Sequence, residues 1–124
     1  MLDSSLRRLL EEAINTSTKL AIVLLYAGQP RLATTPQQMS QRICRDIWSV
    51  EQALQELAED GILQCERGEY RYRPAARWSE ALAQFVTTYD EPLRRQEIVH
   101  LVDELDRYAP YRDDLNNRRV VYSI

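Results

Sequence analysis

The apolar positions between Thr35 and Leu63 fall into two helical groups. Met39 and Ile43 stand four apart on one face of a short helix, and Ile47, Val50, Leu54, Leu57 and Ala58 share one face of a second. Thr35, with Pro36 behind it and Gln38 three positions on, is a capping-box start: hydroxyl and amide satisfy free backbone N–H groups, and proline has none to satisfy. The first helix stops at Cys44-Arg45, Asp46 caps the second, and Gly61 closes it where a positive φ is usual. Two helices joined by so short a turn predict a helix-turn-helix. Strand-like alternation follows in Leu63-Gln64-Cys65-Glu66 and Glu69-Tyr70-Arg71-Tyr72-Arg73, with Arg67-Gly68 between them as the turn of a hairpin.

The same rules partition the rest. Asp3, Ser4 and Ser5 offer caps for a first helix whose apolar residues are Leu6, Leu9, Leu10, Ala13 and Ile14. Thr18 to Ala27 is apolar nearly all round, as expected of a helix in the middle of a domain; Gly28 ends it and Pro30 prevents a restart. Arg31-Leu32-Ala33 is expected as a short third strand. Pro74 to Trp78 reads as a connector, after which Ser79 caps a helix striped by Ala81, Leu82, Phe85 and Val86. Asp90-Glu91-Pro92 starts the last helix, in which Ile98, Leu101, Val102 and Leu105 line one face. That stripe either folds back on the first helix or forms a dimer seam. Beyond it the tail from Tyr108 to Ile124 breaks at Pro110, and Val120-Val121-Tyr122 is strand-like, either pairing with a sheet edge or loose.

The order Met39-Ser40, Ile43, Val50, Leu54, Leu57, Glu59-Asp60-Gly61-Ile62-Leu63, continued by the hairpin, resembles the winged helix-turn-helix of bacterial transcriptional regulators of the MarR and ArsR kinds, over about half the chain. The resemblance implies a mainly α fold with a small β-hairpin wing: a flanking helix in 1–16, a winged helix-turn-helix in 17–76, and C-terminal helices and tail in 77–124 as a possible dimerisation element. It further implies a DNA-binding regulator of transcription, dimeric, with double-stranded DNA as partner and the helix from Asp46 in the major groove. With Leu54 inward, that helix turns Trp48, Gln52, Gln55 and Glu59 outward, flanked by Ser49 and Glu56. Ser49, Gln52 and Gln55, with Trp48, are then the base-reading candidates, since amide and hydroxyl groups both give and accept hydrogen bonds. Arg42 and Arg45 before the helix, and Arg67, Arg71 and Arg73 on the wing, are the phosphate candidates; a solvated charged hairpin is the plainer account of the last three.

Charge complicates that picture. The 124 residues carry a net charge of −3. Between Thr35 and Leu63 two arginines face Asp46, Glu51, Glu56, Glu59 and Asp60, a local balance of −3 that opposes phosphate. Trp48 also departs from the usual small polar or basic residue. It either packs against the preceding helix or connector, or is exposed as a hot spot for a protein partner or a wedge at DNA. The alternative function is therefore a winged-helix protein-interaction module docking through Trp48 and its acidic helix.

With 44% hydrophobic and 28% charged residues, the chain suits one domain with a real core. No membrane association is expected, because the longest apolar run, Leu20 to Ala27, is far below the roughly 20 residues a span requires. Two cysteines and no apolar leader predict free thiols in a reducing cytoplasm. Cys44 and Cys65 read as inert, and His100 with Glu97 and Glu104 reads as a surface histidine rather than a metal face. One histidine and three glycines provide neither a Ser-His-Asp set nor a phosphate loop, so no enzyme, metal or cofactor is expected.

Overall fold

The helix predicted to be apolar on all sides is the hub of the computed structural model, which describes residues 2–108. The elements in chain order are α1 (Ser4–Glu12), α2 (Ser17–Gly28), β1 (Ala33–Thr34), α3 (Pro36–Ile43), α4 (Ile47–Glu59), β2 (Leu63–Glu66), β3 (Glu69–Tyr72), α5 (Ala76–Tyr89) and α6 (Pro92–Arg107). The fold is thus mainly helical with a small antiparallel sheet, strand order β1-β3-β2. α2 packs against α3, α4 and α6 and buries Leu20, Ile22, Val23 and Tyr26. Tyr26 joins it to the sheet as well: its ring stacks on Tyr72 at 6.0 Å between centroids, and its hydroxyl donates to the Tyr70 carbonyl at 2.6 Å.

Local chemistry sets the element ends. Thr16 caps α2 by accepting from the Lys19 N–H at 3.1 Å. Both bonds of the Thr35–Gln38 capping box form, each at 3.2 Å. Cys44 ends α3 in the left-handed region at φ 56°, and the Ser40 hydroxyl braces the turn by donating to the Arg45 carbonyl. Gly61, at φ 84°, turns the chain from α4 into β2; a Cβ there would stand 3.3 Å from that of Ala75. Arg67 and Gly68 both have positive φ, 56° and 80°, the signature of a two-residue type I′ hairpin whose twist matches the strands. Register pairs Leu63 with Tyr72, Cys65 with Tyr70 and Thr34 with Tyr70 on the core side, and Gln64 and Ala33 with Arg71 on the outer side.

Sequence expectations are corrected in three places, the third strand, α5 and α6. The third strand is Ala33–Thr34 rather than Arg31 to Ala33, because the Leu32 N–H bonds to the Gln29 carbonyl and holds the preceding residues in a turn. Ser79 does not cap α5: the helix begins at Ala76, and the Ser79 hydroxyl donates back to Ala75 O. The cause is Trp78, expected in a connector but buried against the end of α4, its indole N–H donating to Asp60 O at 2.7 Å and the Arg77 guanidinium lying 5.3 Å from its ring centroid. Val86 is largely turned to solvent, while Ala81, Leu82 and Phe85 form the inward stripe of α5.

The third correction concerns α6. Ile98 and Val102 are fully buried within one chain, where α6 packs on α1, α2 and α5. They belong to the intramolecular core and are covered before any second copy arrives, so they form no dimer seam. Leu101 and Leu105 lie half-buried at its edge. Pro110 and Val120-Val121-Tyr122 lie outside the described residues. Truncating Ile98 to Ala is expected to cost about 2 to 5 kcal/mol, as for other buried aliphatic side chains. Thermal unfolding across a range of protein concentrations checks the assignment: the loss stays the same at every concentration for a core residue and varies with concentration for a seam residue.

Candidate nucleic-acid interface

The outer surface of α4 is built by its first two turns. The Asp46 side chain accepts from the Ser49 N–H at 2.9 Å, which fixes the start of the helix, and Val50, Ala53, Leu54 and Leu57 anchor its inner face. Trp48, Ser49, Gln52 and Gln55 are all exposed, as the wheel predicts. Trp48 is 78% exposed, so packing against α3 or a connector is ruled out for it.

The hairpin tip comes back alongside this surface. From Glu51 to Gly61 α4 descends about 15 Å, and β2 then returns about 13 Å over its four steps from Ile62. Arg67, at the turn, ends the strand that packs on α4. Tyr70 lies one residue pair below the tip, opposite Cys65. Burial is the main reason its hydroxyl pKa is raised, and the Cys65 thiol and the Glu51 carboxylate add to the effect.

The five predicted phosphate arginines are all exposed, and none is ion-paired among the described residues, whereas Arg7, Arg8 and Arg94 are bound to Glu11, Glu12 and Glu91. They are not, however, one cluster. Arg42, in the last turn of α3, and Arg45, in the turn, flank the start of α4. Arg71 faces outward halfway along the sheet. Arg73 stands at the hairpin base, its N–H on Ile62 O at 3.1 Å, about 16 Å along the strand from the tip and next to the far end of α4. Arg73 is separate from the surface that gathers Trp48, Ser49, Gln52, Gln55 and Arg67.

Charge on α4 is arranged more favourably than its count. Glu56 pairs with Lys19 at 2.8 Å, and the lysine, also bonded to Asn15, is buried. Asp46 is engaged with its own helix: bonding from the Ser49 N–H holds its carboxyl below the usual range, an effect already of the sign that favours the charged form. Burial pushes the Asp60 carboxyl up, against the pull of Lys19 and Arg77. Glu51 leans to the sheet, and Glu59 lies in the last turn. Sequence reading missed Lys19, which is one polar residue inside an apolar helix, and also missed the link from Asp106 to Ser17. Asp106 accepts from both the Ser17 N–H and its hydroxyl, at 3.0 and 2.9 Å, and Arg45 donates to the same hydroxyl at 3.1 Å. No local pattern signals a contact across 89 positions.

Other chemistry is sparse. Cys44 and Cys65 are free and exposed. His100 contacts Glu104 at 3.1 Å on the surface, and no group of three or more metal-ligating side chains occurs among the described residues. An open depression of about 500 Å³ between α1, α5 and α6, lined by Asp3, Gln84, Thr87 and Arg94, holds none of the candidate interface residues. No described helix is long and apolar enough to cross a membrane.

The lowered Asp46 pKa makes the start of α4 pH-sensitive. A depressed folded-state pKa adds stability above the unfolded value, near 3.8, that is lost as pH falls through the folded one. Protection of the Ser49 amide, measured against its intrinsic exchange rate at each pH, is therefore expected to fall below about pH 4 in the native protein, and Asp46→Ala should show the lower protection at neutral pH as well. Equal exchange in the two proteins at neutral pH counts against the cap. Compared with known protein families, curated proteins and solved structures, the chain matches none.

Proposed function

We propose that the chain is a winged helix-turn-helix regulator of transcription that binds double-stranded DNA with α4 in the major groove and the β2–β3 turn on the adjacent backbone. The observation that carries this reading is that Trp48, Ser49, Gln52 and Gln55 are all exposed on the outer face of α4, whose neighbour β2 leads to the exposed Arg67 at the hairpin turn. The element order from α2 to β3 and the β1-β3-β2 sheet are those expected of such a fold. Arg42 and Arg45 take phosphates at the start of α4, Arg67 and Arg71 take them along the hairpin, and Arg73 contributes little. Two copies on a pseudo-palindromic site in the cytoplasm are the assembly this reading expects, joined through faces other than the inward stripe of α6.

One observation favours a second reading. The Trp48 indole is exposed on a helix that also displays Glu51 and Glu59, the combination of an aromatic anchor and acidic rim that a basic protein surface fits.

A salt series separates the two. Four arginines per copy give eight phosphate contacts in a two-copy complex, for which affinity for a nonspecific duplex falls about 10³- to 10⁵-fold between about 50 and 200 mM salt. Arg67→Ala should reduce the slope of log affinity against log salt by about one unit per copy, while Arg73→Ala leaves it unchanged. Absence of duplex binding at the lowest salt, by the folded full chain, overturns the DNA reading in favour of docking at Trp48.

A further inference from the structure

We infer that α4 selects A·T base pairs, an inference that rests on the DNA-binding reading above and specifies what it recognises. The helix from Ile47 to Glu59 contains no lysine or arginine. Guanine is read chiefly by those two side chains, through O6 and N7, so this surface lacks the ordinary means of selecting G·C. Adenine is read by a side-chain amide that accepts from N6 and donates to N7, and thymine by apolar contact with its methyl group. Trp48, Gln52 and Gln55 supply those groups at positions i, i+4 and i+7, one row on the outward face, and all three are exposed.

Cytosine, which a carboxylate can read through N4, is excluded by where the glutamates lie. Glu56 is held by Lys19 at 2.8 Å, Glu51 lies off the row of Trp48, Gln52 and Gln55, about 100° around the helix from Gln52, and Glu59 is in the last turn, about 16 Å along the helix from Trp48. The row from Trp48 to Gln55 rises about 10 Å, the length of about three base-pair steps at roughly 3.4 Å each. Each half-site should therefore contain a run of about three A·T pairs, with Trp48 against thymine methyls and the two glutamines on adenines.

The test is selection of binding sites from a random duplex library by the full-length protein, followed by titration of the selected duplex and of versions with single G·C replacements. Wild type is expected to enrich A·T at about three consecutive positions. Gln52→Ala should lower A·T preference at one position about tenfold. Gln52→Arg should switch that position towards G·C, a change that a purely structural role does not produce. Enrichment of G·C in the wild type, or duplex binding without base preference, overturns this inference and leaves the DNA-binding function standing. No duplex binding at all removes both.

Discussion

Burial of α2 among α3, α4, α6 and the sheet is the constraint from which the other placements follow. A helix that is apolar all round cannot lie at a surface, so α3, α4, α6 and the sheet must close over it. Two polar contacts then fix how they close. The Tyr26 hydroxyl on the Tyr70 carbonyl sets the sheet against the hub, and Lys19 on Glu56 sets the rotation of α4. Neither contact is a large source of net stability: a buried hydrogen bond contributes about 1 kcal/mol, and an ion pair with one partly solvated member gains little over its desolvation. Leaving either group unpaired is the costlier outcome, so each excludes alternative packings in which the tyrosine or the lysine is buried alone. In this way an apolar hub specifies the orientation of a polar outer surface.

Helix α6 and the turn before α4 are tied to that hub at one point. Asp106, in the last turn of α6, accepts two hydrogen bonds at the start of α2, where the helix dipole favours a negative charge. Arg45 reaches the same serine from the turn before α4. A carboxylate near the C-terminal end of the described chain thus positions an arginine at the edge of the candidate interface. Ile98 and Val102 hold α6 in place for it from the core side.

What was legible in the sequence was what is decided within three or four residues. The Thr35–Gln38 box, the Asp46 cap, the stop at Cys44, the turn at Gly61 and the Arg67-Gly68 hairpin all rest on hydrogen bonds or dihedral preferences local to the motif, and each is present. The outward set on α4 was legible for the same reason, since one buried residue and a constant angle per residue determine the whole wheel. Long-range choices were not. An apolar stripe such as Ile98, Leu101, Val102 and Leu105 has the same spacing whether it meets its own chain or a second copy. Trp78 was placed in a connector because the residue that pins it, Asp60, is 18 positions away. Alternation assigned Arg71 and Arg73 to one face of the hairpin but carried no information on height along it, and height is what separates Arg73 from the tip.

Height and pairing also resolve the conflict between shape and charge. A negative segment can meet phosphate if its carboxylates are neutralised or turned away, because interaction between charges depends on distance and local dielectric, not on a sum over the sequence. Of the five acids between Thr35 and Leu63, Asp46 faces its own helix end, Glu56 faces a buried ammonium, and Asp60 is half-buried beneath Arg77 and Trp78. Glu51 and Glu59 remain exposed, one towards the hairpin and one at the far end of α4. The outward row of Trp48, Ser49, Gln52 and Gln55 is therefore itself uncharged, and the arginines before it make no ion pair among the described residues. A neutral reading surface with a basic margin takes its affinity from the margin and its selectivity from the amides, which is the division of labour expected where phosphate contacts position a protein and base contacts specify its site.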